Sequence, residues 1–253
     1  MPVNRDLWSE PITRSHTPHW YCPVCGGGYL KLVPDTLHAL PTAASLREQA
    51  HPAWDADWSK LRFVAMLQCN NKTCMEAITL AGTGRIEVVQ TEADNQECIE
   101  FYTPEFFKPS PNLIVIPKEC PTEVVDQLHL AFVSSWSDAS ASANHIRIAV
   151  ERLLDFIKQP KTRLLFKGKR ELLTLHKRIE GLASRDKPLS DSLLAVKWLG
   201  NAGSHSDVLT RNEVFDALDI LEAALDELFT KKGKVLKALV KKINQKKGPV
   251  RKK

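Results

Sequence analysis

The chain has 253 residues, 43% of them hydrophobic and 26% charged, which is enough apolar material for one large domain or two modest ones and excludes wholesale disorder. No window approaches the roughly 20 uninterrupted apolar residues of a membrane span, and the start Met1-Pro2-Val3-Asn4-Arg5-Asp6 lacks the apolar stretch of a secretory leader. The expectation is a soluble, cytoplasmic protein. The net charge of +5 is unevenly placed: residues 231–253 hold eleven Lys or Arg and no acid, and taking those eleven from the total leaves −6 on the rest. Attraction to polyanions is therefore local to the C-terminus, and the folded part is not basic.

From the N-terminus to about Cys120, most of the prolines and aromatics accompany short apolar runs broken by turn residues, a pattern of small strands. Arg62–Gln68 reads as a strand leading into Cys69. Glu76–Leu80, then Ala81-Gly82-Thr83-Gly84, then Ile86–Val89 reads as a hairpin with its turn at the glycines. Trp54 and Trp58, four residues apart, are expected to pack over this module rather than stack on bases, because Asp55 and Asp57 beside them repel a phosphate strand.

The cysteines are the strongest chemical signal in this half. Tyr21-Cys22-Pro23-Val24-Cys25-Gly26-Gly27 has the form of a zinc knuckle, two thiolates two residues apart on a tight turn with glycines that let backbone amides face the sulfurs. Cys69-Asn70-Asn71-Lys72-Thr73-Cys74 offers a second pair, with Lys72 placed to offset negative charge. Four thiolates from Cys22, Cys25, Cys69 and Cys74 make a closed tetrahedral set suited to a structural Zn2+, with His19 as an alternative ligand. Paired spacing of this kind indicates metal chemistry in a reducing compartment rather than a disulfide framework. Cys98 and Cys120 stand outside the pattern and are expected as small core residues.

After Pro121 the apolar spacing becomes helical. Ile146, Val150, Leu153 and Ile157 form one stripe, and Val214, Leu218, Leu221, Leu225 and Leu228 form another, preceded by a capping box at Thr210-Arg211-Asn212-Glu213. Helices are predicted near 122–136, 139–158, 169–184, 189–201 and 211–230, with Lys161–Gly168 as an exposed connector. In the tail, Val235, Leu236, Leu239, Val240 and Ile243 share a face ringed by Lys234, Lys237, Lys241 and Lys242, and Lys246 and Lys247 extend the cationic run. A basic amphipathic helix follows from that pattern, with these six lysines as the candidate nucleic-acid contacts. The predicted architecture is α+β: a zinc-ribbon-like β module over 1–120, an all-α bundle over 121–230, and a basic, partly helical tail over 231–253.

Within the helical half, Lys197-Trp198-Leu199-Gly200-Asn201-Ala202-Gly203-Ser204-His205 would project Lys197, Asn201 and His205 from one face if helix runs through it. Its glycines allow close approach of another backbone or a ligand. The segment Asn144–Leu154, the run Gly200-Asn201-Ala202-Gly203-Ser204-His205 and the capped Val214–Phe229 helix together resemble the domain of unknown function 4145, an all-helical branch of the HEPN group often found beside prokaryotic defence genes. The resemblance covers about 120–230. It implies a homodimer through helices near 139–158 and 189–205, a defence-system partner, and, in many HEPN domains, a metal-independent endoribonuclease whose motif is Arg, four to six residues, then His.

On that rule His205 is the acid or base, with Asn201 orienting it. The positions that should hold Arg are Gly200, Leu199 and Trp198, and Lys197 lies one residue too far. Arg147 is the remaining guanidinium, with Glu151 at i+4 placed to tie it into an ion pair. The preferred reading is therefore a noncatalytic or weakly catalytic nucleic-acid-associated accessory or adaptor protein in which these groups form a structural network. The alternative is a ribonuclease or toxin using His205, Asn201, Lys197, Arg147 and Glu151. No Walker loop, dinucleotide fingerprint or nucleophile elbow is present in the sequence.

Overall fold

The computed structural model describes residues 3–90, 96–164, 168–202, 209–230 and 239–245. The protein is mixed α+β, an N-terminal antiparallel sheet followed by helices. It divides into two compact units, one comprising Asn4–Asn112 with Phe132–Asp138, the other Val3, Leu113–Ala131 and the described residues from Ala139 onward.

The first unit opens with helix α1 (Arg5–Ser9), whose N-cap Asn4 accepts a hydrogen bond from the Leu7 amide. Strands β1 (Leu30–Leu32) and β2 (His38–Pro41) lie end to end along one edge of β3 (Lys60–Cys69), β1 opposite Leu67–Cys69 and β2 opposite Leu61–Val64. A short helix α2 (Ala43–Glu48), capped by Thr42, bridges β2 and β3. β3 pairs with β4 (Ala77–Gln90), and β4 with β5 (Gln96–Lys108). Along β3 the period is two: Leu61, Phe63, Ala65, Leu67 and Cys69 are buried, while Lys60, Arg62 and Val64 are exposed. Trp20 stacks on Trp8 and meets Phe107 edge-on, and Phe107 lies 4.3 Å from Trp136. The Trp20 indole donates to the Leu7 carbonyl and the Trp136 indole to Ser110 Oγ, so neither buried ring leaves its N–H unpaired.

Two expectations change in this unit. The hairpin predicted at Ala81–Gly84 is one continuous 14-residue strand, β4, with a register shift between Ala81 and Gly82. The glycines serve close approach rather than a turn: a Cβ on Gly82 would stand 2.2 Å from the Thr103 carbonyl oxygen, and one on Gly84 would stand 2.9 Å from the Tyr102 ring. Cys98, predicted in the core, is exposed on β5, whereas Cys120 is buried in the second unit and burial pushes its thiol up to about 11. Trp54 and Trp58 are 36% and 41% exposed, Trp58 ending the 3-10 turn Ala56–Trp58, which lies against β4, with its ring tilted against His51.

The second unit is built on α3 (Thr122–Ser134, as far as Ala131), α4 (Ala139–Phe156), α5 (Leu175–Leu182), α6 (Lys187–Ala202) and α7 (Arg211–Phe229). The two predicted stripes face its interior: Ile146, Val150, Leu153, Leu218, Leu221 and Leu225 are fully buried. Thr210 and Glu213 close α7 as predicted, the Glu213 carboxylate accepting from the Thr210 amide at 2.7 Å. Buried hydroxyls tie neighbouring helices to backbone: Ser142 donates to the Ala131 carbonyl and Ser190 to the Ile179 carbonyl, both at 2.8 Å. Gly200 brings α6 against α4, where a Cβ would stand 3.3 Å from the Ala143 carbonyl oxygen.

This unit is not all-α. Between α4 and α5 runs a hairpin, β6 (Thr162–Leu164) with β7 (Arg170–Leu172), where an exposed connector and the first third of a helix were predicted. Lys158, in the left-handed region at φ 58°, and Pro160 end α4, and Arg163 pairs with Glu171 directly across the ladder at 2.6 Å. In the tail, residues 239–245 are helical with Leu239, Val240, Ile243, Lys241 and Lys242 exposed. Lys234, Lys237, Lys246 and Lys247 lie outside the described residues, as does His205. No helix among the described residues is long and apolar enough to cross a membrane.

Candidate metal centre

The first knuckle forms because Cys22 begins a tight turn: its carbonyl accepts from the Gly26 amide at 2.9 Å and its amide donates to the Gly28 carbonyl at 2.8 Å. Gly26 occupies the left-handed region at φ +64°, which glycine adopts without strain. The second knuckle closes similarly. The Cys69 amide donates to the Glu76 carbonyl, the Cys74 and Met75 amides both donate to the Asn71 carbonyl, and Met75 takes the left-handed position.

The knuckles are joined to each other by backbone and by Asn70. Leu30 pairs with Cys69 in the β1–β3 ladder, the Asn70 amide donates to the Tyr29 carbonyl, and Asn70 Oδ1 accepts from the Tyr29 amide at 2.8 Å. Gly28 sits where they meet. A Cβ there would lie 2.4 Å from Cys69 Sγ and 2.9 Å from Asn71 Cβ, so only glycine lets the two turns close on one another. The sequence reading stopped at Gly27 and missed this residue; the signal was the third consecutive glycine.

The four sulfurs all lie within 4.8 Å of one another. Cys22 Sγ is 3.8 Å from Cys74 Sγ, and Cys25 Sγ is 3.7 Å from Cys69 Sγ. A tetrahedral ion with metal–sulfur bonds of about 2.3 Å has sulfur–sulfur edges of about 3.8 Å, whereas a disulfide holds its sulfurs about 2.05 Å apart. The distances therefore match thiolates arranged around an ion, and all four cysteines are free. Cys22 and Cys69 are each 1% exposed, Cys74 is half-buried and Cys25 exposed, so the centre has a closed inner side and an outer side at the surface.

Backbone donors prepare the sulfurs for the ligating state. The Gly27 amide, with Gly28 adding to it, pulls the Cys25 thiol down to about 6, although burial opposes the shift. Burial pushes Cys69 up to about 12 despite the Asn71 amide, which donates to its sulfur at 3.4 Å. For Cys74 the Glu76 amide lowers the thiol, but burial and the sulfurs of Cys25 and Cys22 outweigh it and the net shift is upward. The Asn71 side-chain amide also reaches Cys25 Sγ. Four sulfurs this close together, those of Cys25, Cys69 and Cys74 already receiving backbone N–H donors, are a donor set that could hold a metal ion. His19 is exposed and its ring lies against Tyr29 at 5.2 Å, outside the four-sulfur group.

The helical candidates are arranged differently. Arg147 on α4 bonds to Glu151 at 3.2 Å and to Asn144 at 3.0 Å, with Arg147 and Glu151 side chains each 37% exposed, so the pair is intrahelical and half-exposed. Lys197 on α6 lies 3.5 Å over the ring of Trp198, and Trp198 neighbours His176 at 5.5 Å. Asn201 is half-buried on α6, one turn beyond Lys197, and makes no side-chain hydrogen bond among the described residues.

Sequence reasoning also missed a buried polar cluster in the second unit. Arg178, 7% exposed, donates to Asp155 at 2.7 Å and to the Gln159 carbonyl, while Lys161 meets Asp155 at 2.8 Å and the Gln159 side chain donates to the Arg178 carbonyl. Burial alone would raise the Asp155 carboxyl, but the hydrogen bonds from Lys161 and Arg178 outweigh it and hold it below its usual value. Because its members come from separate elements and lack a motif, nothing in the local sequence announces it.

Residues 10–110 match the family described as a domain of unknown function (DUF8608), and residues 130–246 match the family described as a domain of unknown function (DUF4145). No curated protein and no solved structure matches the chain. The four-cysteine centre thus falls in a stretch similar to one domain of unknown function, and the Arg147, Lys197 and Asn201 region in a stretch similar to another.

Proposed function

We propose that this is a noncatalytic, nucleic-acid-associated accessory protein, an adaptor in prokaryotic defence, whose N-terminal zinc-ribbon-like unit is organised by one structural Zn2+ held by Cys22, Cys25, Cys69 and Cys74. Zinc suits the site because it imposes no geometric preference, and a closed four-thiolate shell leaves no position for substrate or water. The reducing cytoplasm keeps such thiolates available for metal. The observation that carries nucleic-acid association is the charge partition: eleven Lys or Arg without one acid over 231–253, on a chain that is otherwise net acidic. Lys241 and Lys242, exposed on the 239–245 helix, belong to that run.

The noncatalytic reading is supported by the state of Arg147 and Lys197. Arg147 is engaged by Glu151 and Asn144, and Lys197 lies over an aromatic ring, so each of these cations already has a partner other than a phosphate. A homodimer through α4 and α6 follows from the same HEPN-like reading, and sedimentation of the purified chain reads it.

Binding of labelled duplex and single-stranded DNA and RNA, titrated against salt, tests the proposal. Replacing Lys234, Lys237, Lys241, Lys242, Lys246 and Lys247 together by Gln is expected to weaken duplex binding by roughly tenfold or more and to flatten the salt slope. Unchanged affinity discards the tail as the binding element. Incubating wild type and His205→Ala with single-stranded RNA in EDTA tests the noncatalytic half: cleavage lost only in the variant would establish the ribonuclease instead.

A further inference from the structure

Beside the metal centre lies a cleft of about 450 Å³ whose lining includes Arg14, His16, His19, Tyr29, Lys31 and Asn70 and contains no Asp or Glu. One wall is aromatic. The His19 and Tyr29 rings are 5.2 Å apart, and Tyr29 continues to Tyr21 at 4.8 Å, so three rings form a tilted ladder from the cleft to the surface, where Tyr21 is 54% exposed. The Tyr29 hydroxyl donates to the Tyr21 hydroxyl, and residues 21 and 29 bridge through their backbones.

Cations line the cleft with the rings. Lys31 is exposed on β1 and has no ion pair among the described residues. Arg14 is held in place by Glu100 at 2.9 Å and by the Leu37 carbonyl and Tyr102 hydroxyl, with 59% of its side chain still open to solvent. His16 Nε2 lies 2.8 Å from Glu10, so Glu10 and Glu100 each touch a lining side chain from outside the lining. The position of Tyr29 is fixed by Asn70, the residue after Cys69, so the metal knuckles set the aromatic wall.

We infer that this cleft binds a nucleotide of a single-stranded nucleic acid, its base against the Tyr29 and His19 rings and its phosphate toward Lys31 and Arg14. The inference rests on the nucleic-acid reading above and adds to it a strand state and a second site, on the unit that does not carry the tail. Unpaired bases expose the π-faces that such rings receive, whereas duplex bases keep theirs stacked. A volume of this order fits one nucleotide-sized ligand, and the lining itself carries no acid, while Glu10 and Glu100 just outside it are each paired with a lining side chain.

The test is fluorescence anisotropy on the full chain with labelled dT12, U12 and a 12-base-pair duplex. Five proteins are compared: wild type, the tail variant with six Lys→Gln changes, and that variant carrying Tyr29→Ala, Tyr29→Phe or Lys31→Glu. The tail variant is expected to keep single-strand binding while losing duplex binding, and Tyr29→Ala to weaken the remaining single-strand binding by roughly ten- to a hundredfold. Lys31→Glu, a surface change, weakens it without touching the knuckle turns, and Tyr29→Phe, which keeps the ring, restores affinity if loss in Tyr29→Ala was loss of stacking rather than of fold. The dT12 and U12 arms decide between DNA and RNA. If wild type binds oligonucleotides and the tail variant binds none, the cleft is not a site and the tail reading stands; if Tyr29→Ala and Lys31→Glu both bind as tightly as their parent, the cleft is not a site and the duplex arm alone decides the tail. If wild type binds nothing, both fall.

Discussion

Each of the two units is stabilised internally by a different kind of contact. The helical unit rests on many interchangeable apolar contacts, the stripes of α4 and α7, stitched by single side-chain-to-backbone bonds from Ser142 and Ser190. The sheet unit depends on a few contacts that admit no substitute: four sulfurs at tetrahedral spacing, and glycines at 28 and 82 where another backbone or a sulfur occupies the place of a Cβ. Distributed packing degrades gradually when one group is lost, whereas a closed metal shell and a steric key fail as a whole. Tyr29 and Asn70 lie next to the centre, where their geometry is fixed by hydrogen bonds between the knuckles as well as by side-chain packing.

Removing the metal should divide the units most sharply. A structural four-thiolate zinc contributes apparent binding free energy on the order of 10 kcal/mol, so a strong chelator, or Cys22→Ser, is expected to abolish the near-ultraviolet signal of the Trp8–Trp20–Phe107–Trp136 cluster. The helical far-ultraviolet signal should be largely retained. Loss of both signals together would show that the units do not respond separately.

Gly28→Ala comes next. With its Cβ forced 2.4 Å from Cys69 Sγ, the change should cost about 3 kcal/mol and raise the rate at which a chelator extracts metal. Wild-type extraction kinetics would mean the knuckles do not need this approach.

The smallest effect falls in the helical unit. Asp155→Asn leaves Arg178, 93% buried, without its carboxylate and should destabilise by about 2 kcal/mol near neutral pH. Since the Asp155 carboxyl is held below its usual value, its stabilisation is present above the unfolded value of about 4 and disappears as pH falls through the folded one. Urea unfolding of wild type and variant should therefore converge at acid pH; a constant gap would assign the loss to packing instead.

The same contrast governs what the sequence discloses. Periodicity is a collective signal, so the stripes through Ile146 and Leu218 and the Thr210–Glu213 box were legible without knowing a single contact. Cys-x2-Cys was legible because ligand spacing is chemistry written locally. Gly82 and Gly84 misled because glycine marks both turns and close approaches, and only the partner strand, through Thr103 and Tyr102, decides which. Residues 169–172 misled because helical and short strand patterns overlap, and the Arg163–Glu171 pair that favours the hairpin is visible only once the register is known. The Asp155–Arg178 cluster and the His19–Tyr29–Tyr21 ladder are products of tertiary placement alone.

Native mass spectrometry of the purified full chain, with zinc quantified in parallel, tests the central claim most directly. The account predicts one zinc per chain, lost on changing Cys22 and Cys25 to Ser and unaffected by changing Cys98 and Cys120. A folded, metal-free chain whose thiols at 22, 25, 69 and 74 all react freely with an alkylating agent would contradict it.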